Sequence, residues 1–264
     1  MMHAGLELAR RLEAAEKRAG VACAEAHQRL NPDVGATVEE VAGGFSIFVG
    51  VRSPLTHALG LGMHGPVRAG EMDRLEHFYQ VRGAAVTVDL CPLADPSLVE
   101  LLGRRGYRVT EFNNVLVRKL AGEEIPPDVA SVRLANTDEE QLWAHTVGRG
   151  FLEKDDLTRE EMEVGRAIWH TAGARCYLAL ASGRAAAAGA IAVDSGLATL
   201  FADSTLLGFR GAGMQGALIR ERLRAAVAAG CDLATAATLA GSVSQRNYER
   251  NGFEVAYTKA TFVR

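Results

Sequence analysis

The chain has 264 residues, 48% of them hydrophobic and 23% charged, and carries a formal net charge of −3. That balance excludes a largely disordered chain, and the lack of a basic excess argues against nucleic-acid binding. A domain takes roughly 100–200 residues, so one large or two modest domains are expected.

The first predicted element is an amphipathic helix over Leu6–Leu30, with Leu8, Leu12, Ala15, Ala19 and Ala22 at helical steps, ended by Asn31-Pro32. Its early charges, Glu7, Arg10 and Arg11, argue against a signal peptide. Residues 36–51 read as strand, broken at Gly43-Gly44, and 56–61 as a further apolar stretch entering Gly62-Met-His-Gly-Pro66. A helix over 67–81, a strand over 84–90, a helix over 97–104 and a strand over 107–118 follow. Residues Ala121–Asp128 are polar, hold two prolines and have no period, which marks a linker. The division expected is therefore 1–120 and 130–264.

Beyond the linker the pattern predicts a strand over 131–134 and helices over 138–150 and 159–171. Strands at 175–181, 185–193 and 197–207 come next, then a long Ala- and Leu-rich helix over 213–229. A strand at 232–236, a helix at 242–250 and a strand at 253–262 close the chain. No apolar run approaches the roughly 20 residues of a membrane span, so no membrane association is expected. Cys23, Cys91, Cys176 and Cys231 are scattered without a C-x-x-C pair, and the histidines lack ligand spacing. Reduced thiols, a cytoplasmic location and no metal are expected.

Both halves end in helix, Arg-x-Gly-aromatic and strand: Arg104-Arg-Gly-Tyr107 and Arg250-Asn-Gly-Phe253. Gly106 and Gly252 stand 146 positions apart (252 − 106), and the same offset sets Gly62, Gly65 and Gly70 on Gly208, Gly211 and Gly216. This predicts an internal duplication. Gly60-Leu-Gly-Met-His-Gly65 also fits G-x-G-x-x-G, but Pro66 and the offset make it the worn copy of a later loop rather than a dinucleotide fingerprint.

That later loop is Thr205-Leu-Leu-Gly-Phe-Arg210-Gly-Ala-Gly-Met-Gln-Gly216. A strand enters a glycine-rich turn that opens directly into a helix, so free amides and the positive helix end face one point, as a pyrophosphate requires. Arg210 would add forked donors.

Arg210-Gly-Ala-Gly-Met-Gln215 resembles the Arg/Gln-x-x-Gly-x-Gly/Ala loop of the GNAT superfamily, the GCN5-related N-acetyltransferases. Tyr248-Glu-Arg-Asn-Gly252-Phe253 resembles that family's Tyr-x-x-x-Gly-Phe ending. The resemblance covers about Val132 to the C-terminus. It departs at Gln215, where Gly or Ala is usual, and at Gly241, where an asparagine is frequent and for which Ser242 or Asn247 would have to substitute.

The resemblance implies an α+β fold: two GNAT-like units in tandem, each a mixed, mostly antiparallel sheet flanked by helices, the first without a working loop. Acetyl-CoA would be the co-substrate and a primary amine on a small molecule or peptide the acceptor. The backbone of Thr205, Leu206 and Leu207 would run beside the pantetheine arm, the amides near Leu206 and Leu207 facing the oxyanion. Arg210, Gly211, Ala212, Gly213, Met214, Gln215 and Gly216 would hold the pyrophosphate, and Tyr248 would protonate the leaving thiolate. The residues themselves suggest Asp203 as the base, on a strand leading to the loop, or as a structural hydrogen-bonding group. Glu153, Asp155 and Asp156 would attract a cationic amine or form a solvated loop. A homodimer is compatible with this reading. An acyl-CoA-binding sensor or scaffold without turnover is the alternative.

Overall fold

The computed structural model describes residues 4–120, 122, 125 and 131–264. Apart from Gly122 and Ile125, the expected linker lies outside the described residues. The chain forms two compact units, Met1–Val115 with Val255–Arg264, and Leu116–Glu254. Among the described residues no helix is long and apolar enough to cross a membrane.

The first unit comprises α1 (Leu6–Leu30), β1 (Thr37–Val41), β2 (Gly44–Phe48), β3 (Ala58–Leu59), α2 (Ala69–Gln80), β4 (Thr87–Leu90), α3 (Pro96–Arg104) and most of β5 (Arg108–Lys119). The C-terminal strand β11 (Glu254–Val263) also lies here, antiparallel to β4. Strand order is β1-β2-β3-β4-β11-β5, with β3 and β4 parallel. Its core joins Met72, Leu75 and Phe78 of α2 to Val86 and Val88 near β4 and to Leu98 and Leu102 of α3. The division expected from the linker put β11 in the second half; it belongs to the first unit, because its antiparallel partner is β4.

The second unit holds β6 (Ser131–Leu134), α4 (Glu140–Leu152), α5 (Arg159–Trp169), β7 (Ala174–Ala181), β8 (Arg184–Asp194), β9 (Leu197–Thr205), α6 (Met214–Ala228), β10 (Leu233–Leu239) and α7 (Val243–Arg250). Order here is β6-β7-β8-β9-β10-β5, with β9 and β10 parallel and β6 to β9 antiparallel. The result is a mixed, mostly antiparallel α+β architecture.

The alanine run of β8 has a packing cause. Ala187 and Ile191 face Leu218, Ile219 and Leu223 of α6, while Ala188 and Ala190 face Trp143, Ala144 and Val147 of α4. A strand covered by helices on both faces cannot alternate apolar with polar, and small side chains let the helices approach closely.

Helix α2, β4, α3 and β5 recur in the same order as α6, β10, α7 and β11.

Candidate functional site

Two irregularities in the second unit create the site. The β8–β9 ladder runs evenly from Asp194–Leu197 to Ala190–Phe201, then resumes at Ala188–Ser204. Ala202 and Asp203 thus stand opposite Gly189 alone, a bulge in which Ala202 takes a positive φ of 55°. On its other edge β9 pairs with β10 only over Leu197–Leu200 and Leu233–Ala236. Past that point the two strands are not paired with each other, although β9 continues to Thr205 and β10 to Leu239. A bulge bends its own strand, and here it leads β9 away from β10.

The glycine loop stands at the end of that divergence. A short 3-10 turn over Leu207–Phe209 precedes it, and α6 starts after Gly213, which caps the helix at φ 80° with no side chain to offer. Gly211 shares the left-handed conformation at φ 78°, and a Cβ at either glycine would meet nothing within 4 Å. Both therefore border open space and favour glycine for backbone reasons. Among the described residues the amides of Gly211, Gly213, Met214, Gln215 and Gly216 have no acceptor; the first internal bond of the helix is Ala217 N–H to Gly213 O. A glycine-capped helix start with bare amides suits a diphosphate.

The matching place in the first unit is closed. Glu71 accepts from the Arg68 amide at 2.8 Å, and Ser97 Oγ accepts from the Val67 amide at 2.8 Å. The Glu71 carboxylate at the start of α2 already occupies what an anion would seek.

The remaining predicted residues fall as follows. Thr205 ends β9 opposite Ala187. The Leu206 amide, expected to face an oxyanion, donates to Ala186 O at 3.0 Å and is spent in the sheet; the Leu207 amide has no backbone acceptor among the described residues. Arg210 does not turn toward the start of α6. Its guanidinium donates to Glu153 Oε1 at 2.7 Å, to Gly150 O at 3.0 Å and to Thr205 O at 3.3 Å, tying the loop to the end of α4. Ala212 N–H donates to Phe209 O at 3.4 Å. Of the acidic group, Glu153 is thus neutralised by Arg210, and Asp155 pairs with Arg149; Asp156 is exposed.

Tyr248 and Asp203, assigned from separate arguments, are in direct contact. The Tyr248 hydroxyl donates to Asp203 Oδ2 at 2.5 Å, and the ring is 2% exposed, edge-on to Phe253. Burial, then the neighbouring Asp203 charge, pushes the phenol well above its ordinary pKa. The other carboxylate oxygen of Asp203 pairs with Arg222, which has no exposed surface. Burial disfavours the Arg222 charge, and Asp203 more than offsets this, raising its pKa. Gln215 extends the network: its Nε2 donates to Ser244 Oγ at 2.8 Å, lies 3.4 Å from Asp203 Oδ2, and its Oε1 accepts from Asn247 at 2.8 Å. Ser242 caps α7 by accepting from the Gln245 amide at 3.1 Å.

Arg222 is the member that sequence reasoning missed. Its signal was present: it follows Leu218 by four and Ile219 by three on the buried stripe of α6.

By its likeness to solved structures, this chain has the fold of the GCN5-related N-acetyltransferases. A GCN5-related N-acetyltransferase from Kribbella flavida superposes with a TM-score of 0.63 at 16% identity, covering 92% of this chain and 95% of that one. A GCN5-related N-acetyltransferase from Sphaerobacter thermophilus gives 0.60 at 15% identity, over 87% of this chain and 75% of the other. A tandem GNAT protein from the clavulanic acid biosynthesis pathway also gives 0.60 at 15% identity, over 85% and 78%. No family model and no curated protein matches the sequence.

Proposed function

We propose that the second unit is an acetyl-CoA-dependent N-acetyltransferase acting on a primary amine of a small molecule or peptide. The observation that carries this reading is the set of bare amides at Gly211 and at Gly213 to Gly216, at the open end of the β9–β10 divergence. Acetyl-CoA would supply a thioester whose acyl carbon accepts the amine and whose thiolate departs.

Amides at the start of α6 hold the diphosphate, and the backbone of Thr205–Leu207 with the unpaired edge of β9 orients the arm. The Leu207 amide remains to polarise the carbonyl. Arg210 braces the loop rather than meeting the phosphates, and Gln215 joins α6 to α7. No metal is required by this scheme.

Tyr248 is the residue the resemblance assigns to protonating the sulfur. A phenol with raised pKa is neutral at pH 7 and so carries the proton, and Asp203 would orient it. Its near-complete burial favours a second reading, in which Tyr248 and Asp203 brace the bulge and the sulfur takes its proton from water. Asp203, with Tyr248, Gln215 and Arg222 at its oxygens, suits bracing better than amine deprotonation.

The repeated element order supports duplication, with a first unit whose loop is capped by its own residues and binds no acyl-CoA. A cytoplasmic location and a homodimer fit the same reading, while a sensor that binds acyl-CoA without turnover is the competing one. Calorimetric titration with acetyl-CoA, followed by thiol release across a panel of amines, tests it. Binding with amine-dependent release supports the enzyme, binding without release supports the sensor, and no binding to the folded protein removes both.

A further inference from the structure

The buried stripe of α6 is built from Leu218, Ile219, Leu223 and Ala226, and Arg222 lies within it. A guanidinium without water contact is costly unless its donors are met, and an apolar residue would satisfy the stripe more cheaply. Its partners give the charge a purpose. Nε donates to Leu218 O in its own helix at 3.0 Å, and Nη1 donates to Ala190 O at 2.9 Å and to Phe201 O at 3.3 Å. Ala190 and Phe201 are the last regular pair before the bulge, and Asp203, paired with Nη2, lies inside it. One side chain thus grips β9 just before and within its bulge and β8 opposite.

Gly189 makes the room. A Cβ there would stand 2.7 Å from Asp203 Oδ1 and 2.8 Å from Arg222 Nη1. The glycine, the carboxylate and the guanidinium fill one space, and none can be exchanged without moving the others.

We infer that Arg222 is a positioning residue that holds the β9 bulge, and with it the divergence from β10 that the thioester arm enters. The ligand in this statement rests on the acyl-CoA reading above; the bulge itself does not.

The test uses the full chain carrying Arg222→Met, which keeps length and loses charge, and Arg222→Lys, which keeps charge. Hydrogen exchange is read at amides 201–205. Calorimetry compares acetyl-CoA with 3′-phosphoadenosine 5′-diphosphate, which offers the diphosphate without the arm. In Arg222→Met the exchange should quicken by about tenfold or more and acetyl-CoA affinity fall about tenfold, with the armless nucleotide within about twofold. Arg222→Lys should recover part of both. If Arg222→Met does not fold, Gly189→Ala, which crowds the same space with every charge kept, should give the same split. Unchanged exchange with unchanged acetyl-CoA affinity would overturn the inference, as would equal losses for both nucleotides. A wild type that binds neither nucleotide sinks the acyl-CoA reading, and the exchange at 201–205 still decides whether Arg222 holds the bulge.

Discussion

Tyr248 and Asp203 are joined by a 2.5 Å hydrogen bond that ties α7 to the bulge of β9. Because α7 follows β10, this contact spans the two elements at the place where β9 and β10 part. The bond therefore braces α7 against the bulge whether or not the phenol takes part in chemistry.

Tyr248→Phe removes that donor and leaves a buried carboxylate oxygen short of a partner, a loss of about 1–3 kcal/mol. Urea unfolding should show this destabilisation, with acetyl-CoA affinity little changed. The thiol-release rate separates the two roles of Tyr248. A fall of about two orders of magnitude in a folded variant would mark the phenol as proton donor. An unchanged rate would confine it to bracing.

Asp203→Leu strands the Arg222 charge in the core. Breaking one partner of a buried ion pair costs about 3–5 kcal/mol, so this should be among the most damaging substitutions in the second unit. The double variant Asp203→Leu with Arg222→Met should regain much of that stability, since both charges are then gone. Additive losses in a denaturation series would show that the pairing is not what holds the two residues.

Gly213→Glu places a carboxylate at the start of α6 and forces a side chain onto a backbone at φ 80°. Repulsion of the diphosphate and disturbed amides should together lower acetyl-CoA affinity by about a hundredfold or more, which calorimetry measures directly. Arg210→Met should cost less, because the guanidinium already faces Glu153 rather than the helix start. A larger loss for Arg210→Met than for Gly213→Glu would reverse the assignment of the phosphate contacts from backbone to side chain.

The helices and strands were legible because their signals are local. The periodic run of α1 ends at Asn31-Pro32 and the structure ends it at Leu30; the Gly43-Gly44 break separates β1 from β2. The glycine loop was legible for the same reason, since Gly211 and Gly213 mark positive φ within a short span. What escaped depends on distant partners. The exchange of β11 into the first unit is decided by its pairing with β4, about 170 residues earlier, and no local pattern encodes that. Arg210 could be placed at the loop but not aimed, because Glu153 belongs to the end of α4. The Leu206 amide looked free until β8 supplied the Ala186 carbonyl.

The first unit carries a pH dependence of its own. His57 Nδ1 stands 2.7 Å from Asp89 Oδ2, and Thr261 donates to the other oxygen at 2.7 Å. Burial would raise the Asp89 pKa, but His57 first, by hydrogen bond and charge, then the Lys259 charge and the Thr261 hydroxyl overcome it and hold the carboxyl down to about 2, against 3.8 unperturbed. A depressed carboxylate stabilises the fold above its unfolded pKa and loses that stabilisation as pH falls through the folded value. The contribution, about 2 kcal/mol at 1.36 kcal/mol per unit, should be complete near pH 5 and disappear toward pH 2. His57→Gln removes the imidazole, so wild type and variant should differ most near pH 5 and converge on acidification. Urea midpoints between pH 5 and pH 2 measure this, and a difference that stays constant across that range would show that the His57–Asp89 pair does not set the acid limb.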